Sequence, residues 1–152
     1  SSHNSFEASI TEAVMPFDVD LICLAGFMRI LSDEFVDQWY DRMINIHPSL
    51  LPSFKGLDVQ QQAIDAGVRF SGCTVHFVRR DMDTGPIIVQ AAVPVLENDD
   101  ADTLATRILE QEHKIYPLAI KLIAQGRTNI KDERVHIDDA ITSDVVSVNP
   151  LA

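Results

Sequence analysis

Positive charge is scarce in this sequence: 12 Lys and Arg residues stand against 23 Asp and Glu residues, giving a formal net charge of −11. This excess of negative charge argues against nucleic acid or an anionic membrane surface as a partner, because both would repel the protein. A small anionic substrate remains compatible with it, since a helix N-terminus or a local basic cluster can reverse the field nearby.

Long apolar runs and glycine-rich loops are also missing. The longest uncharged apolar run, residues 21–28, is far shorter than the ~20 residues that a membrane-spanning helix requires. Neither a Walker loop nor a Gly-x-Gly-x-x-Gly loop is present, so the sequence carries no standard nucleotide-phosphate motif. We therefore expect no membrane partner.

Cysteine is limited to Cys23 and Cys73, each within an apolar stretch. We interpret both as small buried side chains, because buried thiols are common in protein cores. Two isolated cysteines do not predict a disulfide or a metal site, and they fit a reducing, cytoplasmic setting.

What the chain does contain is an alternation of strand-like and helix-like segments. Four apolar or β-branched runs predict strands: residues 20–26, 43–46, 73–78 and 87–95. The first is continuously apolar, which is typical of a strand buried on both faces of a parallel sheet. The last two flank a polar turn, which predicts an antiparallel pair. The pattern indicates an α/β protein with an open, mostly parallel twisted sheet and flanking helices.

Helices are predicted over residues 5–14, 33–41 and 58–66, and from Asp100 or Asp102 to Gly126. Ser32 is a suitable N-cap for the second helix, and Gly67 should end the third. Pro117 should bend the long helix, because its ring removes a backbone donor.

The 152 residues are interpreted as a single domain, with residues 128–152 as a C-terminal extension of two weak strand-like pieces and a polar end. A doubly wound domain should open with a strand, but this chain opens with polar residues and a marginal helix. We therefore expect the N-terminal strands of the fold to be missing.

Three polar side chains stand where chemistry could occur. Asn45 and His47 lie on alternate positions where a strand gives way to a proline-rich loop, and Asp83 lies in a second turn-forming loop. Ligands of open α/β sheets bind outside the carboxyl ends of the strands. An Asn amide can stabilise a developing oxyanion, a His can transfer a proton near neutral pH, and an Asp can orient the imidazole. Taken alone, a strand-end Asn or His is more often a turn or capping residue, and the addition of Asp83 in a glycine-containing loop makes the structural and catalytic interpretations about equal.

The sequence offers no nucleophile of its own. Ser49 is the only hydroxyl beside His47, and it lacks the Gly-x-Ser-x-Gly elbow of hydrolases. The attacking group should therefore come from a substrate. His47, His76 and Asp83 show no spacing typical of metal ligands, so we expect no metal site.

Four blocks of the chain resemble the glycinamide ribonucleotide transformylase family of folate-dependent formyltransferases. They are LAGFMRIL at 24–31, NIHPSLLP at 45–52, DMDTGP at 81–86 and QEHKIYP at 111–117. The second block is shared with other formyltransferases, and the combination is similar to this one family over residues 17–127. The resemblance implies transfer of a formyl group from 10-formyltetrahydrofolate to the amine of glycinamide ribonucleotide, in purine biosynthesis, on a Rossmann-like formyltransferase fold.

Carried onto this chain, the resemblance implies that Asn45, His47 and Asp83 are the catalytic residues. Without it, His76 would be a strand histidine or a satisfied core partner, and Glu112 a solvated helix residue. The folate would contact Met28, Arg29, Ile30, Leu31, His76, Val78 and Asp81, and the nucleotide substrate would contact Gly26, Pro48 and Glu112.

Two further features bear on ligand binding. Arg79 and Arg80 could attract the negatively charged tail of the folate, or could be solvated loop residues. Roughly the first 60 residues of the family's pattern, including a loop whose amides bind the substrate phosphate, have no counterpart here, so phosphate binding is in doubt.

Two alternatives stay open. A formyltetrahydrofolate hydrolase would use the same three residues with water as nucleophile, although that family tends to carry a second histidine at the position of Pro48. A non-catalytic folate-binding fragment would fit the missing N-terminal part. The partners implied are the two small-molecule substrates, with a second copy of the chain, forming a homodimer, as a further candidate.

Overall fold

Helices and strands alternate along the chain, as the sequence predicts. A computed structural model describes residues 2–26 and 31–152. In chain order the elements are α1 (Ser2–Val14), a 3-10 helix (Met15–Phe17), β1 (Ile22–Leu24), α2 (Asp33–Gln38), β2 (Met43–His47), α3 (Val59–Ala66), β3 (Phe70–Phe77), β4 (Ile87–Pro94), α4 (Ala101–Ala124), β5 (Thr128–Lys131) and β6 (Arg134–Ile137).

The first four strands form one sheet in the order β1-β2-β3-β4. Strands β1 and β2 are parallel, whereas β3 is antiparallel to both β2 and β4. Three of the four strands therefore run in one direction, which confirms the predicted mixed, mostly parallel sheet with flanking helices. The predicted antiparallel pair is β3 and β4, and the two weak pieces after residue 127 pair as a separate β5–β6 hairpin.

The main core lies between this sheet and α4. Ile44 and Ile46 of β2 and Val75 of β3 are buried in the same apolar cluster as Leu104 and Ile108 of α4. Successive strand residues point to opposite faces of a sheet. The residues that alternate with Ile44 and Ile46, which are Asn45 and His47, therefore lie on the other face of β2, away from this core.

Strand β1 is shorter and less buried than predicted. Ile22 and Leu24 are half-buried against a second cluster that includes Trp39 and Met43, but Cys23 is exposed. The expectation that Cys23 is buried was therefore wrong, because β1 ends the order of the described sheet and has β2 as its single neighbour there. Cys73, in the middle of β3, is buried as expected.

Helix α2 begins where the sequence predicts, with Ser32 as its N-cap. The Ser32 hydroxyl oxygen accepts from the backbone N–H of Phe35 at 3.2 Å. Glu7 of α1 in turn holds Ser32 in place, because its buried carboxylate accepts from the Ser32 N–H at 2.6 Å and from the Ser32 hydroxyl. A carboxylate at this place also interacts favourably with the helix dipole. The helix ends at Gln38, three residues before the predicted end.

Helix α4 is fixed at its start by a capping box. Asp100 accepts from the Thr103 N–H at 2.8 Å, and the Thr103 hydroxyl accepts from the Asp100 N–H at 3.0 Å. The helix continues through Pro117, so the predicted bend there stays a prediction, and the left-handed Gly126 follows its end. In the part of the chain that the structure describes, no helix is long and apolar enough to cross a membrane.

Candidate functional site

Asn45 and His47 are placed at one edge of the sheet by the last residues of β2. His47 ends the strand and is buried, whereas Asn45 is half-buried and pairs with His76 of β3. The Asn45 side-chain amide has no hydrogen-bond partner among the described residues, so its N–H groups are available to a ligand. The two predicted side chains thus lie next to each other on one face, as the strand alternation implies.

The His47 ring lies between two oxygen acceptors. Its Nε2–H donates to the Phe54 carbonyl at 2.8 Å, and its Nδ1 lies 3.6 Å from Oδ1 of Asp83. A neutral imidazole carries a single N–H and can donate to one of them, whereas the imidazolium can donate to both. The Ser49 hydroxyl, which has one hydrogen to donate, lies within hydrogen-bond distance of two carbonyl oxygens, that of Ser53 at 2.6 Å and that of Phe54 at 2.9 Å.

Asp83 reaches His47 from the loop between β3 and β4. Its backbone is in the left-handed region, with φ 58°, and its side chain is 7% exposed. The second carboxylate oxygen accepts from the Gly56 N–H at 3.0 Å, and Gly56 has φ 86°, a conformation that favours glycine. The loops after β2 and β3 are thereby joined through one carboxylate.

His76 borders the same face and is almost fully buried. Its Nδ1–H donates to the Phe77 carbonyl at 2.9 Å, which leaves Nε2 as a buried acceptor without a partner in the described structure. Burial lowers the pKa of His76, and this effect outweighs the opposing influence of the Phe77 hydrogen bond and Asp83. A neutral ring with an unpaired Nε2 suits an N–H or O–H donor on a ligand.

Glu112 lies in α4 and is half-buried, so it is not the fully solvated helix residue expected without the resemblance, and its contact with the nucleotide substrate stays a prediction. Burial raises the pKa of the Glu112 carboxyl, and His113 and His47 partly oppose that shift. Pro48 follows His47 directly, and Gly26 follows β1 with φ 62°.

The remaining residues of the predicted folate site are only partly described. Leu31 and Val78 are half-buried against the second apolar cluster, and Asp81 is exposed. Met28, Arg29 and Ile30 lie outside the described residues, so the structure does not test the prediction for them.

Arg79 and Arg80 are paired with carboxylates. Arg79 donates to Asp41 and Glu133, and Arg80 donates to Asp37. Both guanidinium groups thus have protein partners, which argues against the interpretation that they attract a ligand tail. No group of three His, Cys, Asp or Glu side chains among the described residues could hold a metal ion.

The contacts of Phe54, Gly56 and Thr74 were not foreseen from the sequence. The Thr74 hydroxyl donates to the Ser49 carbonyl at 2.7 Å and accepts from the Leu51 N–H at 3.1 Å, which fixes the chain just after His47. For Gly56 the sequence does contain a signal, because a glycine that follows a loop with two prolines often has a special backbone conformation. Thr74 lies in an ordinary β-rich run that gives no such signal.

Comparison with known proteins identifies the family of this chain. The sequence profile of the formyl transferase family matches residues 1–120. The trifunctional purine biosynthetic protein adenosine-3 of Bos taurus is 52% identical over 126 residues, which cover 83% of this chain and 12% of that protein.

Two solved structures show the same fold. The crystal structure of phosphoribosylglycinamide formyltransferase from Anaplasma phagocytophilum superposes with a TM-score of 0.86 at 52% identity, covering 89% of this chain and 67% of that one. A formyltetrahydrofolate deformylase from Pseudomonas syringae superposes with a TM-score of 0.82 at 30% identity, covering 87% of this chain and 44% of that one. With a family profile matched over most of its length and relatives at this level of identity, the chain belongs to the formyl transferase family.

Proposed function

We propose that this chain transfers a formyl group from 10-formyltetrahydrofolate to the amine of glycinamide ribonucleotide, in purine biosynthesis. The observation that carries the proposal is the approach of His47 to Asp83 across two loops, with the free amide of Asn45 beside them. The names of the bovine and Anaplasma relatives support the choice of substrates.

In the proposed reaction the substrate amine attacks the formyl carbon, a new C–N bond forms and the bond to the folate nitrogen breaks. Negative charge grows on the formyl oxygen, which the Asn45 amide and the His47 imidazolium stabilise by hydrogen bonds. Asp83 holds the imidazolium and, through a water, assists transfer of the proton from the attacking nitrogen to the folate nitrogen. The mechanism uses no metal ion.

His47 must change partners for this to happen. Its Nε2–H donates to the Phe54 carbonyl, and the formyl oxygen would take that place in the reacting complex. The Ser49 hydroxyl lies 2.6 Å from the Ser53 carbonyl and 2.9 Å from the Phe54 carbonyl, so its single O–H could turn to the Phe54 carbonyl when His47 turns to the substrate.

The predicted binding residues complete the proposal. Leu31, Val78, His76 and Asp81, together with Met28, Arg29 and Ile30, would form the folate side, and the Nε2 acceptor of His76 supports that role. Gly26, Pro48 and Glu112 would contact the nucleotide. We propose a cytoplasmic protein that binds small molecules and not nucleic acid, consistent with its net charge of −11, and that can form a homodimer.

A second candidate is hydrolysis of the same formyl donor, which the likeness to the Pseudomonas deformylase favours. Incubating the purified chain with 10-formyltetrahydrofolate, with and without glycinamide ribonucleotide, separates the two. We expect formylated ribonucleotide only when the amine is present. Formate released at the same rate without the amine would indicate the hydrolase, and binding of a folate analogue without either product would indicate a non-catalytic fragment.

A further inference from the structure

The loop that carries Asp83 starts from a nearly buried arginine. Arg79 lies four residues before Asp83, and its side chain is 10% exposed. Its guanidinium donates to Glu133 at 2.8 Å and to Asp41 at 2.7 Å, and it lies over the ring of Tyr40, 4.0 Å from the centroid. A bidentate, stacked arginine of this kind has a fixed orientation.

Glu133 reaches Arg79 from the turn of the β5–β6 hairpin. The hairpin packs against the main core through Ile130, Val135 and Ile137, so its turn is held in place by apolar contacts. The hydrogen bond from Arg79 lowers the pKa of Glu133, which keeps the pair charged at neutral pH. A segment far from the active-site loops in sequence is therefore tied to one of them.

The backbone at this turn is unusual for its residues. Asp132 and Glu133 are both left-handed, with φ 54° and 55°, in a two-residue turn where Asn-Gly is strongly preferred. Glutamate is disfavoured in this conformation, because its Cβ approaches the following carbonyl oxygen. A glutamate at this position therefore makes the turn less favourable but provides the carboxylate that binds Arg79.

The contact between Asp83 and His47 is sensitive to small displacements of the Asp83 loop. The distance of 3.6 Å between His47 Nδ1 and Asp83 Oδ1 is just beyond hydrogen-bond range, and the Gly56 N–H holds the other oxygen. A shift of a few tenths of an ångström thus decides whether Asp83 accepts a direct hydrogen bond from the Nδ1–H of His47.

We propose that the Arg79–Glu133 pair makes the C-terminal hairpin a positioning element of the Asp83 loop. Arg79 and Glu133 are positioning residues, since neither touches the reacting atoms. The inference rests on the proposed formyl transfer, because it assigns the hairpin a role in that reaction.

The test compares Glu133→Gln with Asp132→Asn. Both substitutions neutralise one carboxylate in the same turn, but only Glu133 contacts Arg79. For Glu133→Gln we expect kcat to fall on the order of tenfold, with KM for both substrates within about twofold, as for misplacement of a catalytic group. We expect Asp132→Asn to retain the wild-type kcat. Equal rates for the two variants, or a change confined to KM, would overturn the proposal.

An activity-independent measurement distinguishes a failure of this inference from a failure of the proposed function. In NMR spectra of the whole chain, Glu133→Gln should shift the backbone amides of residues 81–84 and the ring resonances of His47, whereas Asp132→Asn should not. Shifts confined to the hairpin would refute the inference even if wild-type activity is high. An inactive wild-type chain that shows the expected shifts would contradict the formyl-transfer proposal and support the positioning role.

Discussion

The two loops that meet at the candidate site are held in place by different forces. The His47 loop, residues 48–56, is fixed from inside the protein. Ser49 and Thr74 are fully buried, the Thr74 hydroxyl bonds to the Ser49 carbonyl, and the Gln90 side chain donates to both the Leu51 carbonyl and the Thr74 hydroxyl at 3.0 Å.

The Asp83 loop, residues 79–86, is held mainly by ion pairs with exposed carboxylates. Arg79 pairs with Asp41 and Glu133, and Arg80 pairs with Asp37. The loop's closest packing is at Gly85, where a Cβ would lie 1.6 Å from the Phe77 carbonyl oxygen. No side chain could be added at Gly85 without moving the strand.

Buried hydrogen bonds and surface ion pairs respond differently to change. A buried polar group that loses its partner has no water to replace it, whereas an exposed ion pair is screened by salt and weakened by acid. The His47 loop should therefore depend on the stability of the core, and the Asp83 loop on solution conditions. The contact between His47 and Asp83 thus joins a loop held by buried hydrogen bonds to a loop whose ion pairs respond to salt and pH.

The largest effect should come from removing a residue where the loops meet. We expect His47→Ala or Asn45→Ala to lower kcat on the order of 100- to 1,000-fold, equivalent to about 2.7–4 kcal/mol, because each removes a donor to the developing oxyanion. Steady-state kinetics with a circular dichroism check of the fold measures this. His136→Ala, which changes an exposed histidine of β6, is the control and should keep wild-type turnover. Near-wild-type turnover in either site variant would contradict the assignment.

A pair of threonine substitutions compares the two loops directly. Thr74→Val removes the buried hydroxyl that holds the His47 loop, and we expect the free energy of unfolding to fall by about 1–3 kcal/mol. Thr84→Val removes an exposed hydroxyl that donates to the Asp81 carbonyl within the Asp83 loop, and should cost less than about 0.5 kcal/mol. Urea unfolding of both variants gives the two values. Similar costs would mean that the loops are not held by different forces.

The smallest effect should appear on acidification. Hydrogen bonds from Arg80 and Arg79 lower the pKa of Asp37 and Glu133 below their ordinary values near 4. A carboxylate with a lowered pKa in the folded state contributes stability above the unfolded pKa, and that contribution is lost as the pH falls through the folded pKa. Between pH 5 and pH 3, hydrogen-exchange protection should therefore fall at residues 79–86 more than at residues 48–56. A parallel loss in both loops would contradict this prediction.

Much of the fold could be predicted because the signals are local. Ser32 and Asp100 are helix caps, Gly67 and Gly126 follow helix ends, and the paired strands β3 and β4 flank a polar turn. The meeting of Asn45, His47 and Asp83 could also be anticipated, because strand ends at one edge of a sheet bring their loops together. Their catalytic role stays a prediction.

What could not be predicted depends on contacts between distant residues. Nothing local to Glu7 indicates that it caps Ser32, 25 residues later. The Phe54 carbonyl as partner of His47 follows from the path of a loop and not from residue type. The predicted burial of Cys23 was wrong because an apolar sequence favours a buried strand but does not show where that strand lies in the sheet.

The turn at Asp132 and Glu133 has a practical consequence for protein engineering. Both residues are left-handed, so a stabilisation procedure based on turn preferences would replace them with Asn-Gly. Such a change would relax the backbone and leave Arg79, with its nearly buried guanidinium, one counterion short. An otherwise sensible thermostabilising substitution would thus loosen the start of the Asp83 loop, and libraries built on this chain should keep position 133 acidic.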